Sequence, residues 1–434
     1  MAILIYNCTA VRMDEAGTVL PHAYVLVEGS KIVSVGDQRP QGFTGRQIDG
    51  KGNVLLPGLV NCHTHVPMTA MRGYGDGHDL QDWLHHYIFP VEARWDERAI
   101  RCCTALGLAE MIATGTTCIA DMYMFTDAVA QEVVSAGLSA NLSCGGVYFG
   151  APEDFSPETC GDCRNQAALT EEWHGAGAGQ ILVDASVHGE YTSNPPLWRW
   201  MAEYAAEHRL GMHVHVSETQ SEHQASLERW GKTPIQALDG CGVWDCGRSL
   251  AAHCVYTTEE DWALMAEKGI SCVHNPWSNL KLGSGVAPIP AMMRAGVNVA
   301  LGTDGMSSHN SADLFSDIKL AAVLHNGVER DPMAVNAWAA LEMATVNGAR
   351  ALGRDTGVIA PGKTADLILV DLSAPNLIPC HDPVEDLVFS AHGSNVEMNM
   401  ARGQVIYEKG SFLTLDLERV RWEVEHYALP LIFG

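Results

Sequence analysis

Residues 54–65 read "VLLPGLVNCHTH", an apolar run that ends in two histidines two positions apart. On an extended strand, side chains at that spacing share a face, so His63 and His65 can meet one cation. The neighbouring sequence decides what kind of strand this is. Upstream, stretches such as "YVLVEGSKIVSVG" alternate apolar and polar residues between Gly-containing turns, the pattern of a small antiparallel sheet. After residue 56 the rhythm changes. Short apolar runs alternate with longer helical patterns to about residue 355, and there are eight of them: 54–62, 116–122, 139–147, 181–187, 210–216, 249–255, 269–274 and 297–303. Eight β/α units predict a parallel barrel. From about 363 the alternation returns in "ADLILVDL" and "NVEMNMARGQVIYEKG". The expected organisation is therefore an α/β chain: residues 1–56 and 363–414 form one small β-sandwich from both chain ends, 57–362 form the (β/α)8 barrel, and 415–434 form a helical tail.

Composition narrows the function classes. The chain has 434 residues, 47% of them hydrophobic, and no apolar run reaches the length of a membrane span. Nothing at the N-terminus resembles an export signal, so a cytoplasmic protein is expected. With 27 basic and 52 acidic residues the formal charge is −25, which opposes binding to nucleic acid. The thirteen scattered cysteines read as reduced, packed thiols, and the lone C-x-x-C of Cys160 and Cys163 as a loop.

In a parallel barrel the reactive side chains stand at the C-terminal ends of the strands. Strand 1 ends with His63 and His65. Strand 5, "MHVHVSE", carries His213 and His215 on one face with Glu218 just beyond its end; strand 6 ends at His253 and strand 8 at Asp304. Any one of these could be a hydrogen-bonded structural residue. Together they make a nitrogen- and oxygen-rich set suited to Zn²⁺ or Fe²⁺. His213 lies deeper and reads as a packing or hydrogen-bonding residue, while Glu222 and His223, in "TQSEHQ", read as part of a solvated face.

The motifs "PGLVNCHTH", "HVHVSET", "LAAHCVY", "SCVHNPWSNLKLGSG", "LGTDGMSSHNS" and "PGKTADLILVDL" occur in an order that resembles the amidohydrolase superfamily over nearly the whole chain. Within it, the sequence is most similar to the branch of S-adenosylhomocysteine/5′-methylthioadenosine deaminases, guanine-type deaminases and triazine chlorohydrolases. The resemblance implies a distorted (β/α)8 barrel with a flanking β-sandwich, and one divalent metal, Zn²⁺ ahead of Fe²⁺, held by His63, His65, His215 and Asp304. Strand 4, "ILVDASVHGEY", contains no Lys of the kind that bridges two metals in binuclear relatives, which favours a mononuclear site. A divalent metal lowers the pKa of bound water from about 15.7 towards about 7. In the implied mechanism Glu218 protonates a ring nitrogen, and His253 and Asp304 take the water's proton and pass it to the leaving group.

The resemblance also bears on substrate. Glu92 matches the ribose-binding Glu of the adenosine-type deaminases, and His188 a substrate-contacting His of that group. Trp83 is equally readable as the wall of a planar ring or as simple packing. Asn279 and His309 are expected to border the pocket. In the homocysteine-type deaminases an Arg ends strand 3; here "NLSCGGVYFG" places Cys144 there, and a thiol does not replace a guanidinium. Arg164 matches a second Arg of that group. The expected activity is hydrolytic deamination of an adenosine derivative: 5′-methylthioadenosine, 5′-deoxyadenosine, adenosine or S-adenosylhomocysteine. The alternatives are a guanine-, 8-oxoguanine- or pterin-type deaminase and an s-triazine chlorohydrolase. A metal-free barrel acting as a scaffold is the reading from another class, and the full ligand set argues against it. The expected partners are a small-molecule substrate and further copies of the chain, with no membrane or nucleic acid.

Overall fold

The computed structural model describes residues 2–434. The N-terminal segment forms strands β1 (Ala2–Val11), β2 (Val19–Glu28), β3 (Lys31–Gly36), β4 (Arg46–Asp49) and β5 (Val54–Pro57). The barrel strands follow: β6 (Leu59–His65), β7 (Thr116–Met122), β8 (Ser139–Ser143), β9 (Ile181–Gly189), β10 (Gly211–Val216), β11 (Ser249–His253), β12 (Ile270–His274), β13 (Val299–Leu301) and β14 (Asp304–Gly305). Near the C-terminus stand β15 (Leu367–Val370), β16 (Val396–Ala401), β17 (Gln404–Glu408) and β18 (Ser411–Phe412).

Two sheets result. The small one runs β18-β17-β16-β15-β5-β1-β2-β3, with β4 also paired to β1. Its two halves join where β5 and β15 run antiparallel, Val54 opposite Val370 and Leu56 opposite Ile368. The run 54–65 is thus two strands rather than one. Val54–Pro57 belongs to the small sheet and Leu59–His65 to the barrel, and the turn between them passes so close to β7 that a Cβ on Gly58 would lie 2.3 Å from Thr117.

The barrel sheet is parallel and runs β13-β12-β11-β10-β9-β8-β7-β6-β14. Its eighth strand is in two pieces: β13 pairs with β12, and β14 pairs with β6. The break falls at Gly302, where a Cβ would meet Asn275 Oδ1 at 2.5 Å and the His63 backbone at 2.9 Å. A side chain there would displace His63. Expected run 139–147 ends early, at Ser143, because the chain turns away through Gly145 at φ +64°. The opposite end is closed by the helix Val346–Leu352, whose Leu352 carbonyl accepts hydrogen bonds from Asn141 and Arg248. Buried Val60, Cys118, Leu250, Val273 and Ala300 pack with this helix.

Beyond β6 the chain forms a rim, with helical turns over Leu80–Trp83, Leu84–Ile88 and Phe89–Glu92. The tail is helical over Leu417–Glu423, Val424–Ala428 and Leu429–Phe433. It braces the rim through Arg94, whose guanidinium donates to the Ile432 carbonyl at 3.0 Å. All thirteen cysteines are free thiols, most of them buried. Cys160 and Cys163 stand at the start of the helix Gly161–Trp173 rather than in an open loop. Among the described residues no helix is long and apolar enough to cross a membrane.

Candidate metal centre and substrate cavity

His63, His65, His215, His253 and Asp304 converge at the C-terminal end of the barrel. Two overlapping groups have donor atoms close enough for one ion: His63, His65 and Asp304, and His63, His215 and His253. Asp304 Oδ1 lies 3.4 Å from His63 Nε2 and 3.2 Å from His65 Nε2.

The orientation of the rings follows from what holds their other nitrogens. His65 Nδ1 donates to the Met122 carbonyl at 2.5 Å, and His215 Nδ1 donates to the His188 carbonyl at 2.7 Å. Carbonyls only accept, so in each neutral ring the proton sits on Nδ1 and Nε2 presents a lone pair. Those two Nε2 atoms face each other at 3.3 Å. His63 shares its Nδ1 with His213 Nε2 at 2.8 Å, and its buried Nε2 has no partner. Facing lone pairs and an orphaned ring nitrogen beside a carboxylate are the donor set a divalent cation fits. His213 therefore supports a neighbouring ring.

The electrostatics agree for His63 and His215; for His65 the Asp304 carboxylate outweighs burial and pushes the ring up to about 9, a proton that a cation at Nε2 would replace. Burial pushes His63 down to about 4 and His215 well below its usual value, so both rings stay neutral. Burial would raise Asp304, but the adjacent His63 and His65 rings hold it well below the ordinary carboxylate range. Its Oδ2 accepts from Ser278 Oγ at 2.7 Å and Ser308 Oγ at 3.1 Å, and its Oδ1 from the Gly305 N–H at 2.8 Å.

Glu218 and His253 stand opposite this set. His253 Nε2 lies 3.7 Å from Glu218 Oε2, and its Nδ1 donates to Asn279 Oδ1 at 2.8 Å, which leaves Nε2 as the basic atom. Burial raises the Glu218 carboxyl, opposed chiefly by the charge of His253. Glu222 corrects the solvated-face reading. It is buried and reaches back past its own helix cap, accepting from the N–H of Ser217 at 2.8 Å and of Glu218 at 2.7 Å. The signal was present in T-x-x-E at 219–222: Thr219 caps the helix, and the acid three residues on folds back over the entering chain.

A cavity of about 430 Å³ opens onto these groups. Its lining includes Trp83, Glu92, His188, Cys144 and Asp162, together with His65, His215, Glu218, His253 and Asp304. Glu92 accepts a hydrogen bond from Tyr123 at 2.6 Å, and burial raises its pKa. His188 Nδ1 is bonded to Thr192 Oγ1 at 3.1 Å, and burial keeps its ring neutral, down to about 4.

Three residues expected at the pocket lie elsewhere. Arg164 is exposed and donates to the Glu158 carbonyl at 3.1 Å; Asp162 and Cys163 take the inward side of their helix, and Arg164 is turned away from it. Asn279 stands behind His253 and does not line the cavity. His309 is buried against Asp317, 2.8 Å away, and against the ring of Trp277. Tyr123 and Asp162 were missed, because neither carries a motif.

Comparison with known proteins agrees with this architecture. Residues 54–406 match the amidohydrolase family. The chain is 40% identical to a 5-methylthioadenosine/S-adenosylhomocysteine deaminase of Caldanaerobacter subterraneus subsp. tengcongensis, across 100% of this chain and 99% of that one. It is 38% identical to a 5′-deoxyadenosine deaminase of Methanosarcina mazei, across 99% of this chain and 98% of that one. A zinc-bound adenosine deaminase of Xanthomonas campestris superposes with a TM-score of 0.92 at 32% identity, covering 99% of this chain and 98% of that one. The chain belongs to the amidohydrolase family.

Proposed function

We propose that this protein is a mononuclear metal-dependent deaminase of 5′-modified adenosines, releasing ammonia and leaving a 6-oxo purine. The observation that carries the reading is the pair of Nε2 lone pairs of His65 and His215 facing each other at 3.3 Å beside Asp304, with Glu218 and His253 opposite. Together with His63, these residues would hold one ion, Zn²⁺ being proposed and Fe²⁺ the alternative that the same donors accept. When bound, the ion supplies an acidified water at neutral pH.

The chain's own residues supply the rest. Glu218, buried with its carboxyl pKa raised, would be the group that passes a proton to a purine ring nitrogen as the ring accepts attack. His253 Nε2, with Nδ1 fixed on Asn279, receives the water's proton, and Asp304 shares in passing it to the departing amine. Glu92, polarised by Tyr123, accepts from the vicinal ribose hydroxyls; Trp83 and His188 border the nucleoside. The relatives named as deaminases of 5′-methylthioadenosine, S-adenosylhomocysteine and 5′-deoxyadenosine support a nucleoside over a free base or a triazine.

An ammonia-release screen of metal-loaded protein against adenine nucleosides, guanine-like bases, pterins and triazines tests this. Release from the 5′-modified adenosines is expected. Release only from a free base or a triazine would replace the nucleoside reading with its alternative.

A further inference from the structure

The end of the cavity beyond strand β8 has a chemistry of its own. Around the barrel mouth, Glu218 stands just past β10 and His253 at the end of β11, and Glu92 meets Tyr123 just past β7. Cys144 follows β8, with Asp162 facing it from the next helix. On the nucleoside reading, with the base at Glu218 and the ribose at Glu92, the 5′ substituent would extend towards this end, which lines the same cavity.

Several hydrogen-bond donors around Asp162 are already committed. The Gly145 N–H goes to Ser186 Oγ at 2.8 Å, the Gly146 N–H to the Ser186 carbonyl at 3.2 Å, and the Cys144 thiol to Gln166 Oε1 at 3.4 Å. The Val147 N–H donates to Asp162 Oδ2 at 2.8 Å. Among the described residues the Asp162 side chain makes no other hydrogen bond, so Oδ1 is left open. No Lys or Arg lines the cavity, and Arg164 faces away from it. An anionic tail would meet a carboxylate and no cationic side chain, whereas an ammonium would find an acceptor.

We propose that Asp162 is a specificity-determining residue that selects a positively charged, donor-bearing 5′ substituent and rejects an anionic one. This rests on the nucleoside reading above. It separates this chain from deaminases that hold a tail carboxylate with arginine, and it names the preferred substrate class as 5′-(aminoalkylthio)adenosines.

The test uses three thioethers of adenosine differing only at the tail end, 3-aminopropyl, 3-hydroxypropyl and 2-carboxyethyl, with 5′-deoxyadenosine as the tailless reference. Metal-loaded wild type should show kcat/KM in the order amino, hydroxy, carboxy, the extremes differing on the order of ten- to a hundredfold. That span should narrow at high ionic strength. Asp162→Asn retains an acceptor for the Val147 N–H and should reduce the amino-to-carboxy ratio about tenfold or more; because the ratio is taken within each protein, losses of folding cancel. Equal turnover of the amino and carboxy compounds by wild type, or a ratio unchanged in Asp162→Asn, would overturn the proposal while 5′-deoxyadenosine is still deaminated. Failure to deaminate any of the four would instead remove the nucleoside reading on which the proposal stands.

Discussion

The metal corner and the substrate rim are built on different principles. At the corner, the side chains stand on strand ends or immediately beyond them, and the ring nitrogens that do not face the centre are tied down: His65 and His215 to backbone carbonyls, His63 to His213, His253 to Asn279. At the rim, Trp83 and Glu92 come from helical turns between β6 and the next long helix, and Cys144 and Asp162 from the connection after β8. The corner is preorganised by the sheet, and the rim by loop packing. Chemistry should therefore be intolerant of change at the corner, and specificity adjustable at the rim.

The largest effect should come from the corner. Asp304→Asn removes a carboxylate charge that His63 and His65 stabilise, and should lower kcat by about a thousandfold or more with loss of bound metal, read by ammonia release and elemental analysis. Glu218→Gln keeps the shape but removes the transferable proton; kcat should fall by about 10²- to 10⁴-fold while metal content holds. Loss of metal from Glu218→Gln would blur the distinction between holding the ion and moving the proton. Glu222→Ala strips the acceptor from two buried N–H groups that set the Glu218 backbone, so kcat should drop about tenfold at little change in KM. An equal rise in KM would make Glu222 part of the rim instead.

At the rim, Glu92→Gln should raise KM for 5′-methylthioadenosine by roughly ten- to a hundredfold with a smaller change in kcat. A mainly kcat effect would dissolve the division between the two regions. Arg164→Ala should change kcat/KM by less than about twofold, since the guanidinium is exposed and bonded to the Glu158 carbonyl.

The same division explains what the sequence made legible. His63 and His65, and His213 and His215, show the two-residue period of a strand, and in a parallel barrel the C-terminal strand ends share one mouth, so distant motifs could be assembled without coordinates. The small sheet from both chain ends was equally readable from alternation, although β1 pairs in parallel with β4 and β5 within it. The rim residues depend on helix phase and loop course, which no period reports. Arg164 follows Asp162 by two residues and Cys163 by one yet faces solvent; Asn279 serves His253 from behind; His309 is captured by Asp317, eight residues later. The split of 54–65 between two sheets at Pro57–Gly58 was hidden for a related reason: both strands are apolar, and only their partners tell them apart.

The central claim, one ion at the convergence of His63, His65, His215 and Asp304 driving adenosine deamination, is tested most directly by metal titration. Protein stripped with a chelator would be titrated with Zn²⁺ while the conversion of 5′-methylthioadenosine is followed by ultraviolet absorbance. Activity should be absent at the start and rise to a break at one equivalent per chain. Full activity after stripping, or a break at two equivalents, would contradict the account.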